Sequence, residues 1–396
     1  MRSGLHLQEP PVSSSGPPQG SSPGVHARRV IFIDLARALA VLFMLYGHAV
    51  SALLAPGYQS GTWFDLWQFQ RGLTASLFLL LSGFAFSVAT VRRWSSHARP
   101  SAAVLRRTRR FLLFIVLGYA LHLPASQAAD VWNAPDAHWR AFLAVDVLQL
   151  IGVTFLLVQL LVLITRVRWI FTTTALALGG AIVASTPWIW SQSWETILPL
   201  WAASYLWPGG GSQFPLFPWA GYVLLGSALG QVYGQPWAAT LVRYANLVLL
   251  APALVLVSTG VTLQSRADAI FGGSVWSFVP PQVLIRAGTC LLILAAMAHA
   301  SRFITRLPHV FGAVAQETLL IYFVHLCIVY GSVWNAGLVQ RYGGLLGPPQ
   351  VLIVVIALIG AMVVLASRWN WLKHASPRAA RWISYGVGAL LIWRLV

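Results

Sequence analysis

Long apolar runs separated by short polar stretches set the pattern of this chain. A helix needs about 20 apolar residues to cross the hydrocarbon of a bilayer. Runs of that kind recur at 30–55, 72–91, 109–125, 141–165, 169–190, 214–233, 243–262, 281–301, 311–333 and 350–367. A last apolar segment, 383–396, is short, and a partial crossing stays open for it. No strand-like alternation stands out. No inverted repeat or broken-helix pair is visible either. The pattern predicts an all-α polytopic transmembrane bundle of about 10–11 membrane-spanning helices. The Trp-rich segment 188–213, which ends in Pro208 and three glycines, reads as a re-entrant or interfacial helix.

Composition agrees. Of the 396 residues, 58% are hydrophobic and 9% charged, whereas a soluble domain carries about a quarter charged residues. The formal net charge is +17. Its basic residues sit in short loops between apolar runs, which points to orientation in a membrane and not to nucleic acid. With the N-terminus in the cytoplasm, only Arg71, Arg140, Arg266, Arg341 and Arg394 fall outside, and Arg37 and Arg286 fall within spans. The remaining Lys and Arg are all cytoplasmic, including the cluster Arg92–Arg110.

Residues 1–27 are rich in Pro, Ser and Gly and are expected to form a disordered cytoplasmic tail, with residues 28–396 as the membrane domain. No short apolar core precedes a small-residue cleavage site, so the first span is expected to act as an uncleaved signal anchor. Cys290 and Cys327 lie in apolar runs and read as small buried hydrophobes. No His, Cys, Asp or Glu set has metal-ligand spacing, and no phosphate-binding glycine loop is present.

Ionisable residues inside spans are costly and mark candidate functional positions. Asp34 and Arg37 share one face near the cytoplasmic end of the first span. They read either as a local ion pair or as polar anchors for a donor entering from the cytoplasm. His48 lies roughly 21 Å further along the helix. It can exchange a proton, carry an acyl group or only hydrogen-bond a neighbour. Asp146 enters the fourth span from the outer side at similar depth, as a partner that orients His48 or as a helix-start residue. His325 is expected near mid-membrane in the ninth span, with Glu317 near its cytoplasmic end. His299 and His309 are expected at the interface. The outer Trp63, Trp67, Trp132 and Trp139 fit an aromatic belt or sugar stacking.

The same residues carry a resemblance. The first span holds Arg29, Asp34, Arg37, Met44 and His48 in the order of the opening signature of transmembrane acyltransferases. It is particularly similar to that of bacterial proteins resembling heparan-alpha-glucosaminide N-acetyltransferase. RGLTASLFLLLSGFAFSVAT (71–90), DVLQLIG (146–152), FPLFPWAGYVLLGSALG (214–230) and ETLLIYFVH (317–325) resemble further segments of that family in order. Two departures stand out: Arg37-Ala38 in place of Arg-Gly, and Glu317-Thr318 in place of Asn-Ser.

The resemblance implies acetyl or acyl transfer from a cytoplasmic coenzyme A thioester to an acceptor on the far side. It implies His48 as the catalytic residue, and its ninth-span motif brings in His325. In that reading Asp146 assists His48, while Asp34 and Arg37 shape the path of an acetyl-CoA or acyl-CoA co-substrate that is not tightly bound. The Arg92–Arg110 cluster meets coenzyme A phosphates or serves orientation alone. The expected partners are membrane lipids, the acyl-CoA donor and a glycan or lipid-linked sugar acceptor. A homodimer is admitted. The expected location is a cell membrane, the bacterial inner membrane first. The rival reading is a proton-coupled secondary transporter or flippase, which intramembrane Asp, Arg and His also fit.

Overall fold

The computed structural model describes residues 30–271, 275–304 and 306–395. The expected tail, 1–27, lies outside them. Among the described residues there is no strand, and only isolated bridges such as Leu54–Leu346 interrupt a helical protein. Among the described residues, twelve helices form its frame, with shorter helical pieces such as Asp136–Leu143 in the connections. The twelve are α1 (Ile31–Leu53), α2 (Thr62–Val91), α3 (Ala102–Ala120), α4 (Val147–Thr165), α5 (Arg168–Trp190) and α6 (Leu216–Val232). After them come α7 (Leu241–Ala267), α8 (Val279–Phe303), α9 (His309–Gln316), α10 (Thr318–Val329), α11 (Pro348–Ala375) and α12 (Pro377–Trp393).

Seven of these, namely α1, α2, α4, α5, α7, α8 and α11, are each long and apolar enough to cross a membrane, and the bent pair α9–α10 makes eight. The protein is a multi-pass membrane protein. The sequence expectation of about 10–11 spans also counts α3, α6 and α12. The first half of α3 carries Arg106, Arg107, Arg109 and Arg110. The other two are 17 residues long, or roughly 26 Å against a hydrocarbon core of about 30 Å. Helix α12 nevertheless reaches from the α11 elbow to the far end of the bundle. There Leu395 O accepts from Ala128 N, and Leu391 O accepts from the Trp334 indole.

The ninth apolar run is not one helix. It breaks between α9 and α10 with a bend of 75°. Glu317 sits at the break, buried, and receives Asn370 Nδ2 at 3.0 Å and the Lys373 ammonium, both from α11. A carboxylate taken out of water needs such partners. Of the segment 188–213, the first three residues end α5, and the rest forms only short helical turns, the longest being Leu200–Leu206.

Small residues set the closest helix contacts, as expected where no hydrophobic force separates helix from lipid. Helices α2 and α6 lie against one another through Gly83, Gly226 and Gly230. A Cβ at Gly226 would run into the carbonyl of Leu80, and one at Gly230 would lie 2.5 Å from Phe84 O. The pairs α3–α4 and α7–α8 repeat the device at Gly152 and Gly288, where an added Cβ would lie 2.8 Å from Phe111 O and from Ala253 O. Helix α1 is the hub, packed by α2, α8, α9, α10 and α11. Its far end is tied to the loop before α11 through Leu346 N to Leu53 O, 3.0 Å.

Candidate functional site

One end of the bundle holds a cavity of about 550 Å³. Its walls come from the second half of α1, the first half of α2, the residues after α3, the start of α4, the entry to α6, α8 and the end of α10. His48, Asp146 and Trp219 all border it. The volume falls in the range of small-molecule sites, roughly 300–1,000 Å³.

His48 lies near the C-terminal end of α1, and its Nδ1 is 3.1 Å from the hydroxyl of Tyr330, the residue that follows α10. The two rings meet edge to face at 5.5 Å between centroids. If Nδ1–H donates to Tyr330, Nε2 keeps a lone pair that can take a proton or an acyl group. The ring of His325 lies 5.3 Å from that of His48. His325 is fully buried, is not part of the cavity wall, and donates from Nδ1 to Ile321 O at 2.8 Å. That bond fixes its tautomer and leaves Nε2 as a buried acceptor with no partner among the described residues.

Asp146 caps α4, accepting from Val147 N at 2.7 Å. Its other oxygen accepts from the Tyr322 hydroxyl at 3.2 Å and lies 3.4 Å from His122 Nε2. Asp146 therefore shares the cavity with His48, as its depth suggests, but its hydrogen-bond partners are His122 and Tyr322. The imidazole that this carboxylate holds is that of His122, two residues beyond the end of α3 and half exposed to the cavity. His122 falls inside the expected span 109–125, so its being ionisable within an apolar run was the signal that could have found it; the structure ends α3 at Ala120 and places His122 in the loop stretch HLP. Tyr322 and Tyr330 sit three and five residues from His325 on either side, and only a three-dimensional arrangement gives them their roles.

Asp34 and Arg37 lie in the other half of α1, away from the cavity wall. The arginine cluster is at that same end. Arg107 is half-buried there, donating to Thr90 Oγ1 at 2.8 Å with its guanidinium over the ring of Phe86, while Arg106, Arg109 and Arg110 are exposed. No group of three metal-ligating side chains is found among the described residues.

The arrangement can move protons. Two imidazoles, one carboxylate and two phenols surround a space that admits a small polar molecule, with Phe214 and Trp219 meeting edge to face, centroids 5.0 Å apart, on one wall. The family model for the catalytic region of heparan-alpha-glucosaminide N-acetyltransferase matches residues 29–263. No curated protein matches the chain.

Proposed function

From the premise that the chain belongs to the heparan-alpha-glucosaminide N-acetyltransferase family, we propose that it transfers an acetyl group from acetyl-coenzyme A, through the membrane, to a hydroxyl or amine of a glycan or lipid-linked sugar. The observation that carries this reading is His48. It borders the cavity with one ring nitrogen engaged by Tyr330, so the other nitrogen is available for chemistry.

In the direct route, His48 takes the proton of the acceptor O–H or N–H. The acceptor atom then attacks the thioester carbonyl and the C–S bond breaks. The imidazolium returns the proton to the departing thiolate. In the two-step route, His48 Nε2 attacks the thioester carbonyl and the C–S bond breaks to release the coenzyme A thiolate; the acceptor atom then attacks the acetyl carbon, the N–C bond to His48 breaks, and the acceptor's proton ends on the thiolate. Both routes use the same nitrogen. In either, Asp146 favours positive charge in the cavity while it forms. Phe214 and Trp219 offer apolar faces to a sugar ring.

The donor enters from the cytoplasmic end of the bundle, past Asp34 and Arg37, and the exposed arginines of α3 meet its phosphates. The cavity faces outward. The asymmetry of basic residues supports this orientation. The protein resides in a cell membrane, the bacterial inner membrane first, and acts as a monomer or homodimer.

One observation favours the rival reading. A broken span such as α9–α10 is a recurrent part of transporters. Purified protein incubated with labelled acetyl-coenzyme A and a panel of amino sugars, acidic sugars and sugar phosphates separates the two. Release of coenzyme A with label in a sugar supports transfer. Binding of acetyl-coenzyme A without turnover sinks it and moves the transporter ahead.

A further inference from the structure

Arg286 lies in the first third of α8, a membrane span. A charge at the centre of a span costs roughly 2.5–3.5 kcal/mol on insertion scales, and charges within spans normally pair or face a water-filled cavity. Among the described residues no carboxylate lies within ion-pair distance of Arg286, and its Nε is buried without a hydrogen-bond partner. Its guanidinium lies flat against Gly72 of α2: a Cβ at that position would be 3.0 Å from both Cζ and Nη2. The absence of a side chain at 72 is what lets Arg286 reach the cavity wall.

Arg71 precedes Gly72 and borders the same cavity. Its guanidinium stands over the ring of Trp67, 5.7 Å from the centroid, and it too has no ion pair among the described residues. The acid on the cavity wall is Asp146, already engaged by His122, Tyr322 and Val147. The cavity thus presents two guanidinium groups, whose rigid forks match the oxygens of carboxylates and phosphates, and one carboxylate that is in use.

We propose that Arg71 and Arg286 form an oxyanion subsite, which holds a phosphate or carboxylate group carried by the acceptor while its hydroxyl or amine lies at His48. The word acceptor rests on the acetyl-transfer reading; the binding of an anion does not. The acceptor is then an acidic sugar or a sugar phosphate, and neutral sugars are poor substrates.

The test uses the full chain in detergent and measures equilibrium binding of inorganic phosphate, of glucuronate and of glucose, with chloride holding ionic strength constant. Phosphate or glucuronate should bind and glucose should not. Binding of phosphate alone identifies a phosphorylated acceptor, and binding of glucuronate alone identifies an acidic sugar. Arg286→Gln should weaken the anion that binds by roughly ten- to a hundredfold, the loss expected for hydrogen bonds to a charged group. Arg286→Lys, which keeps the charge and loses the fork, should fall between. Arg394→Gln, outside the cavity, should bind as the unaltered protein does.

Failure of both anions to exceed glucose in the unaltered protein overturns the subsite whatever the variants do. So does a folded Arg286→Gln protein that binds unchanged. Anion binding without any acetyl transfer leaves the subsite standing and removes the enzyme reading. Transfer to a sugar without anion binding does the reverse.

Discussion

Replacing His48 by alanine tests the chemistry at its centre. The imidazole is the group on the cavity wall with one nitrogen engaged by Tyr330 and one nitrogen open to chemistry. Loss of a general base typically lowers a rate by about a hundred- to ten-thousandfold, or roughly 2.7–5.4 kcal/mol of barrier. The structural cost is much smaller. His48 already borders an open cavity of about 550 Å³, so the truncation enlarges an existing space and leaves no sealed void. The fold loses one hydrogen bond, that of Nδ1 with Tyr330, worth about 0.5–1.5 kcal/mol. Tyr330→Phe removes that same bond and leaves the base, so it should slow transfer only about two- to tenfold. The assay is transfer of labelled acetyl from acetyl-coenzyme A by purified variants of equal monodispersity and thermal midpoint. A His48→Ala protein that keeps more than about a tenth of the rate refutes the base role, as does a Tyr330→Phe protein that falls as far as His48→Ala.

Asp146→Asn should reduce transfer less than His48→Ala and more than Tyr330→Phe, because the amide still caps Val147 N but loses the charge facing His122; steady-state rates at saturating donor check the order. Gly226→Ala should lower the detergent thermal midpoint, with overpacking against Leu80 O costing about 1–3 kcal/mol. Gly360→Ala, where a Cβ meets nothing within 4 Å, should leave the midpoint unchanged or raise it. Cysteines placed at the exposed Ser60 and Ser95 should react differently in intact cells: an impermeant maleimide should label Ser60→Cys and spare Ser95→Cys, and the opposite pattern would invert the orientation.

Much of the fold was legible in the sequence because length and apolarity alone define a membrane helix. What the pattern could not show is where such a run bends. AQETLLIYFVH is hydrophobic enough to read as one span, and the break at Glu317 depends on Asn370 and Lys373, more than fifty residues away. The extent of α12 was equally hidden. The sequence showed only the short apolar segment 383–396, open to a partial crossing, whereas the helix begins at Pro377 and its bonds to Trp334 and Ala128 show that it reaches the far end. At the site, depth along the helices correctly brought His48 and Asp146 to one cavity. Depth carries no azimuth, however, and the direct partner of Asp146 is His122, which the apolar run 109–125 includes but the structure places in the loop after α3. Arg286 was visible as a charge within a span, but that no acid among the described residues pairs with it could be seen only once its neighbours were in place.

The cavity is assembled from both sides of residue 263, where the family match ends. The matched stretch supplies His48, His122, Asp146 and Arg71; the later helices supply Arg286, Tyr322 and Tyr330. Cutting at that boundary would strand the His48 imidazole without its phenol and the Asp146 carboxylate without one of its donors. The matched stretch is therefore not a transplantable module. Grafting it onto another membrane scaffold should yield an inert bundle, whereas the two halves supplied as separate polypeptides have every interhelical contact needed to rebuild the cavity in the bilayer.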